Sequence, residues 1–503
     1  LDGLDLNYTQ KTTPIQSKNN VENASNQSPL QLGLNKINLT NIKVDYNDEN
    51  SKTFAKVNLN DLKSKINKLD LKNAIYDVDH IILKGANVNA NLHLATNSKT
   101  SKSSTETAAP INLALNKLIL DNAKVVYNNN AVAHTKQGMD YNHLNFSKLN
   151  VDVENFKMFN GAISGSVKKG EIKEARGLNI LRLNTDFLYG EKQAYLKNLH
   201  LQTPKTLLRD EVYLTYNSIN QLTSNPGNVI VNAKIRKSKI GFADILNLVP
   251  TLKNTTPFDK YPNAILNIDT QIKGKVNDLT IQNLALSGLD DLSILASGRV
   301  INAMNPDKLY YDLSIQNFST SSKTIYNLVP KNTIPSNIRI PSKLTVKGKA
   351  KGTTQNVNTQ LYLTSTLGNA KINAKVDMQK KDAEKYDVKA DLQNLDIGTL
   401  ISNKDIGKIT AKINAKGQSF NPEKADADIN GTIISANYNN YVYQNIDLKA
   451  KVNNGIFDAH LLSKDPNANL NLTASGVYKK DLSDVKINGK IDKLDLNKLG
   501  FYA

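Results

Sequence analysis

The segment Pro29-Leu-Gln-Leu-Gly-Leu-Asn-Lys-Ile-Asn-Leu-Thr-Asn-Ile-Lys-Val-Asp-Tyr-Asn47 returns as Pro110-Ile-Asn-Leu-Ala-Leu-Asn-Lys-Leu-Ile-Leu-Asp-Asn-Ala-Lys-Val-Val-Tyr-Asn128. The offset is 81 residues (110 − 29) along the whole match, without a gap. Both copies alternate apolar and polar residues, a pattern typical of β-strands with one buried face. A repeat of this length, built from strands, predicts an elongated architecture that grows by adding strands.

The composition predicts apolar surface that is thinly spread along the chain. Hydrophobic residues make up 39% of the 503 residues, and Trp is absent. Lys and Arg residues outnumber Asp and Glu residues by 18 (64 − 46). This positive charge suits an anionic partner. Alternatively, the Lys side chains simply solvate the polar faces of the strands. Aromatic residues for base stacking are sparse, and there is no run of five Lys or Arg residues. No nucleic-acid partner is therefore predicted.

Several classes of protein are excluded by residues that the sequence lacks. The absence of Cys excludes disulfides, zinc–thiolate sites and thiol chemistry. No stretch approaches 18 consecutive apolar residues, so no membrane-spanning helix is predicted. The chain begins at Leu1 inside an apparent strand, with neither an initiator Met nor a signal peptide. We therefore expect it to be a segment of a longer protein.

Changes in composition divide the chain into five parts. Small polar residues fill 97–109 and the stretch from Thr9 to Ser28, which predicts mobile linkers. The predicted parts are 1–28 (a strand end plus a mobile linker), 29–96 (the first β repeat), 97–109 (a linker), 110–200 (the second β repeat) and 201–503 (a continuous β-groove segment).

Regular alternation over hundreds of residues predicts a mostly β fold. We expect a long, curled antiparallel sheet, in the form of a β-taco or U-shaped groove, with a few short helices. Phe242–Val249 before Pro250 and Ser322–Val329 before Pro330 have helical spacing, and Asp396–Ile401 and Asp495–Leu499 are weaker examples. These helices are too short to cover a long sheet.

A sheet with one apolar face must bury that face against another layer, against itself or against a ligand. A curled sheet would form an aliphatic trough suited to acyl chains, whereas a tandem array of β-sandwiches would make the same residues ordinary core. Periodicity alone does not separate the two. The predicted groove-lining residues are Ile268, Ile272, Ile372, Val376, Val388, Leu392, Ile409, Ile413, Ile446, Leu448, Leu470, Leu472, Ile487 and Ile491.

Recurring motifs give the chain a family resemblance. They are the Leu-x-Leu-Asn-Lys blocks at 32–46 and 113–127, the Asn-Leu-Val-Pro turns at 247–250 and 327–330, the segment Ile340-Pro-Ser-Lys-Leu-Thr-Val-Lys-Gly348, and Gly-x-Ile/Val strands ending in Ala474-Ser-Gly-Val-Tyr478. With these motifs the chain resembles the TamB and AsmA-like family of bacterial envelope proteins, in its Bacteroidetes-type form.

The resemblance implies a taco-shaped β-groove that crosses the periplasm of a Gram-negative bacterium. It implies an inner-membrane anchor in the full-length protein, outside this segment, and a TamA-type outer-membrane assembly barrel as partner. It also implies phospholipid transport between the two membranes, outer-membrane protein assembly, or both. Acyl chains of phospholipids would then be the ligands. An envelope chaperone or scaffold for barrel assembly and a surface stalk of tandem β-sandwiches are the alternatives.

Catalytic and metal-binding patterns are not recognisable in the sequence. No paired carboxylates, activated nucleophile or phosphate-binding loop stands out, so neither an enzyme nor a cofactor is predicted. The six His residues lack the i, i+4 spacing of metal ligands. His134 and His143 are the nearest pair, with Asp140 between them, and no metal site is predicted there.

Overall fold

The computed structural model describes residues 1–11, 35–71, 73–94, 111–329, 333–478 and 484–501. The predicted linkers, 97–109 and most of 9–28, lie outside these ranges. The described residues form a mostly β fold with a long curled sheet and few short helices, as predicted. No helix within the described ranges is both long and apolar enough to cross a bilayer.

The described ranges contain 27 strands. They are β1 Asp5–Gln10, β2 Lys36–Asp48, β3 Thr53–Asp70, β4 Ile75–Lys84, β5 Asn87–Leu92, β6 Asn112–Asn129, β7 His143–Phe159, β8 Ala162–Glu174, β9 Asn179–Ile180, β10 Arg182–Tyr189, β11 Gln193–Gln202, β12 Leu207–Thr215, β13 Ile230–Gly241, β14 Ile265–Lys275, β15 Asp278–Gly288, β16 Leu292–Ile301, β17 Tyr310–Thr320, β18 Leu344–Thr353, β19 Asn356–Ser365, β20 Gly368–Asp377, β21 Lys385–Asp396, β22 Ile406–Gln418, β23 Asp426–Tyr438, β24 Tyr441–Asn453, β25 Ile456–Asp465, β26 Ala468–Val477 and β27 Val485–Leu494.

In the same described ranges there are four short α-helices: α1 Gln221–Ser224, α2 Phe242–Leu248, α3 Ser322–Leu328 and α4 Ile397–Ile401. Short 3-10 turns lie at Pro226–Asn228, Pro250–Asn254, Pro306–Lys308 and Pro422–Lys424. The predicted helices at 242, 322 and 396 are confirmed as α2, α3 and α4. The prediction of a helix at Asp495–Leu499 is wrong, because these residues form a turn after β27.

The chain divides into two compact units, unit 1 at Leu1–Asp269 and unit 2 at Thr270–Ala503, with the boundary inside β14. In unit 1 the strands follow chain order across the sheet, and most neighbours are antiparallel. The exceptions are β1, which runs parallel to β2, and β4 and β5, which both run parallel to β6. The domain boundary predicted at residue 201 stays a prediction.

The sequence repeat extends to matching hydrogen bonds in unit 1. Gly3 N donates to Thr40 O at 3.0 Å, and Gly85 N donates to Asp121 O at 2.9 Å. Both glycines have positive φ, +75° and +60°, a conformation that most other residues avoid. Gly3 therefore precedes β1, which runs parallel to β2, and Gly85 precedes β5, which runs parallel to β6.

Unit 2 is a simple meander from β15 to β27. From β15 to β27, each strand pairs antiparallel with the next strand in the chain. At about 4.8 Å between neighbouring strands, the 12 steps from β15 to β27 span about 58 Å along the sheet. One continuous sheet therefore contains all of these strands.

β-Bulges account for the curl of the sheet. The register shifts beside Asn122, Asn155, Asn198 and Asn394, and each of these residues has φ between +47° and +54°. Asn tolerates the left-handed region better than most residues, so it can occupy the extra position of a bulge. Because a bulge bends its strand and increases the local twist, repeated bulges curl the sheet.

Candidate functional site

One face of the unit 2 sheet carries continuous rows of apolar side chains. Register pairing places the following residues side by side across all 13 strands: Leu284, Ala296, Ile315, Gly348, Leu361, Ile372, Ala390, Ile413, Gly431, Leu448, Leu461, Leu472 and Gly489. We call this line row 1. It contains only aliphatic residues and glycine.

Three further rows lie on the same face, because side chains two positions apart on a strand point the same way. Row 2 includes Phe318, Val346, Leu392, Ile446, Leu470 and Ile491; row 3 includes Leu313, Val388, Ile429, Ala450, Ala474 and Ile487; and row 4 includes Tyr311, Val357, Val376, Val452, Phe457 and Val485. Across the four rows of 13 residues no side chain is charged, and the only aliphatic hydroxyls belong to Ser463 and Thr359. We call the four rows together the apolar face.

Most of the predicted groove-lining residues come together on this face. Row 1 contains Ile372, Ile413, Leu448 and Leu472. Rows 2 to 4 contain Val376, Val388, Leu392, Ile446, Leu470, Ile487 and Ile491. Ile409 pairs with Leu395 and Ala436, on the far side of a bulge. Ile268 and Ile272 are half-buried on β14, Ile268 in unit 1 and Ile272 in unit 2.

The apolar face is neither sealed nor fully open to solvent. From β15 to β26 its residues are mostly half-buried, and only a few, such as Leu392 at 8% exposure, are buried. On the terminal strand Ile487 is 63% and Ile491 54% exposed. Helices α3 and α4 have seven and five residues, about 10 and 8 Å in length, so neither can cover a face of about 58 Å.

The opposite face of unit 2 is a ladder of charges. One register line reads Arg299, Asp312, Lys351, Asn358, Lys375, Asp387, Lys416, Asp428, Lys451, Asp458, Ser475 and Lys486. Lys351 Nζ lies 2.8 Å from an Asp312 carboxylate oxygen, and this contact raises the pKa of Lys351. Opposite charges on neighbouring strands favour this register. The ladder therefore keeps the apolar residues on the other face.

Three pockets of unit 2 lie mainly on this charged face. These open pockets, with volumes of about 580, 430 and 530 Å³, are lined chiefly by Lys, Asp and Asn side chains. They are crevices between long polar side chains that stand on the sheet.

Unit 1 contains a polar cluster that the residue spacing did not predict. Asp140 is fully buried, and its Oδ2 lies 3.0 Å from His143 Nδ1 and 3.6 Å from His134 Nδ1. The Thr135 and Asn142 N–H groups donate to the same carboxylate. Burial alone would raise the pKa of Asp140, but these N–H groups and the His143 ring lower it to about 2. The spacing of 134, 140 and 143 fits no regular element, so only the loop conformation brings them together.

The chain matches no family model, no curated protein and no solved structure with which it was compared.

Proposed function

We propose that the protein is a non-enzymatic β-groove whose apolar face shelters the acyl chains of phospholipids. The single observation that carries this proposal is the set of four uncharged rows across 13 strands, which the described short helices cannot cover. Apolar surface that is exposed to water costs about 25 cal/mol for each Å². A ligand that lies on this face would therefore be stabilised by the removal of apolar surface from water. The proposed role requires no covalent step.

The free energy of burying an acyl chain on this face favours movement of the chain along the sheet. Each CH₂ group of an acyl chain gains about 0.8 kcal/mol on leaving water. Because row 1 contains only aliphatic residues and glycine from β15 to β27, an acyl chain would meet similar surroundings at each step. A uniform surface supports sliding better than a deep pocket, which would trap the ligand.

The continuous meander of unit 2 favours this function over a stalk of tandem sandwiches. A sandwich needs two sheets that face each other, with strands divided between them. In the described part of unit 2, β15 to β27 form one unbroken ladder. From the family resemblance we propose that the chain is part of a longer periplasmic protein, which is anchored in the inner membrane and has a TamA-type barrel as its outer-membrane partner.

Native mass spectrometry of the purified chain tests the proposal directly. Phospholipid should remain bound after purification, and the chain should speed transfer of a fluorescent phosphatidylethanolamine between phosphatidylethanolamine/phosphatidylglycerol vesicles. A chain that carries no lipid and leaves the transfer rate at its spontaneous value would end the proposal.

Paired substitutions on one strand separate lipid contact from folding. Ile413→Asp puts a charge on the apolar face, whereas Asn414→Asp puts the same charge on the opposite face of β22. We expect the first to abolish transfer and the second to leave it unchanged, with similar circular dichroism for both. Ile372→Asp and Asn373→Asp repeat the comparison on β20. If the charge on the apolar face unfolds unit 2, these residues are packed core and the groove proposal fails.

Strand β27 supports the second candidate, a chaperone or scaffold for barrel assembly. Among the described residues it pairs only with β26, and Val485, Ile487, Ile491 and Leu494 are exposed. An open strand edge can accept an extended segment of another protein. Photo-cross-linking from position 488 would then capture a nascent barrel protein, whereas the groove proposal expects phospholipid adducts from positions 372 and 413.

A further inference from the structure

The loop between β6 and β7 is an enlarged version of a turn in the first repeat copy. Six residues separate Asn47 from its register partner Phe54, whereas fourteen separate the equivalent Asn128 from His143. The enlarged loop contains His134 and Asp140, and it ends at His143. The enlarged loop therefore supplies His134 and Asp140, while His143, at the start of β7, occupies the position of Phe54 in the first copy.

The loop is held in one conformation by contacts on several sides. Met139 N donates to Asn247 O at 2.8 Å, which ties the loop to the end of α2. Arg176 Nη1 donates to Thr135 O at 2.8 Å and also reaches Thr135 Oγ1 and Gly138 O. A Cβ on Gly138 would collide with Asn247 O and Pro250, so the loop packs closely there. The two His residues are thus placed by the fold.

The spacing of the three side chains matches a metal site. One ligand atom from each of His134, Asp140 and His143 lies within 4.8 Å of the others. Zinc bonds of about 2.0 to 2.1 Å in tetrahedral geometry place neighbouring ligand atoms about 3.3 Å apart. The two distances from Asp140 Oδ2 to the His nitrogens, 3.0 and 3.6 Å, lie on either side of that value.

We propose that His134, Asp140 and His143 bind a divalent transition-metal ion, with Zn²⁺ as the best match. Imidazole and carboxylate ligands suit zinc, and His134, whose side chain is 67% exposed, leaves a side open to water as a fourth ligand. The bound ion would join His134 and Asp140 of the enlarged loop to His143 at the start of β7.

The positively charged Arg176 opposes a bound cation. Its Nη2 lies 3.8 Å from Asp140 Oδ2, beyond hydrogen-bond distance, while its Nη1 donates to the loop. The positive charge lowers the affinity for any ion at the carboxylate. Mg²⁺ prefers oxygen ligands. The site therefore binds an ion that is stabilised by two imidazole ligands more tightly than it binds Mg²⁺.

Calorimetric titration of the chelator-treated full chain with ZnCl₂ tests the proposal. We expect saturable binding of one ion per chain and no measurable binding of Mg²⁺ under the same conditions. His134→Ala should weaken zinc binding by more than about tenfold, since loss of even an outer-shell partner costs that much. Because His134 is exposed, this variant should keep the native circular dichroism spectrum.

His80 provides a matched control. Its Nδ1 lies 3.0 Å from Asp79 Oδ2 on β4, a similar His–Asp contact that lacks a second His. His80→Ala should leave zinc binding unchanged. An anomalous peak at the zinc edge between His134 and His143 would place the ion. Absence of saturable binding, or equal affinity in wild type and His134→Ala, would overturn the proposal.

Discussion

Gly348 on β18 lies so close to the carbonyl oxygen of Gln360 on β19 that a Cβ at position 348 would overlap it. Its φ of +135° is also one that side chains disfavour. Gly348→Ala should therefore lower the free energy of unfolding by more than about 2 kcal/mol, the scale of a strained backbone position. Urea denaturation followed by circular dichroism measures this loss.

Gly431 in the same row is the control. A Cβ there would meet only Lys412 O and Ile413 Cγ1, at 3.8 and 3.9 Å, which is ordinary contact. Gly431→Ala should change the free energy of unfolding little, or raise it by about 0.5 kcal/mol, because glycine weakens a strand. Equal losses in the two variants would mean that the close approach at Gly348 does not set the cost.

Truncations on the apolar face compare a buried with a half-buried position. Leu392→Ala, at a site with 8% exposure, should cost about 2 to 3 kcal/mol of unfolding free energy. Ile413→Ala should cost only about 1 kcal/mol, because its side chain already has contact with water. Both costs come from denaturant titration. If Ile413→Ala proves as costly as Leu392→Ala, the face is packed against protein in solution.

Asp186 should make the stability of unit 1 depend on pH. Ser166 Oγ donates to its Oδ1 at 2.5 Å and Asn198 Nδ2 to its Oδ2 at 2.9 Å, and these bonds lower the pKa of Asp186 below 3.8. The stabilisation is thus fully present above pH 3.8 and is lost as pH falls through the lowered pKa. Asp186→Asn should flatten this acid loss in thermal melts from pH 5 to pH 2. An unchanged profile would contradict the assignment.

The sheet and its apolar face could be predicted from the sequence because side chains alternate with period two. That rule placed Ile372, Val388 and Ile413 on one side of their strands, and the structure places them on one face. Proline-terminated helical spacing likewise identified α2 and α3. Contact of these residues with lipid stays a prediction.

The features that alternation could not predict depend on long-range pairing. The parallel pairing of β5 with β6 joins strands separated by residues outside the described ranges, and no local pattern encodes it. The cluster of His134, Asp140 and His143 depends on a loop conformation held by Arg176 and Asn247. The bulges did leave a signal, since the apolar residues Leu120 and Ala123, on either side of Asn122, are spaced three positions apart and not two.

Substitutions at Asn122 test whether this residue determines the bulge in β6. Its φ is +54°, as at Asn41 in the first repeat copy, and its N–H donates to Asn150 Oδ1 at 2.6 Å. Asn122→Val should cost about 1 to 2 kcal/mol of unfolding free energy, because a β-branched side chain opposes the left-handed region. Asn122→Gly should stay within about 0.5 kcal/mol of wild type, since glycine adopts this conformation freely. Denaturant titration of both variants separates the two outcomes. If valine is tolerated as well as glycine, the register shift between β6 and β7 is imposed by the neighbouring strands, and Asn122 does not determine it.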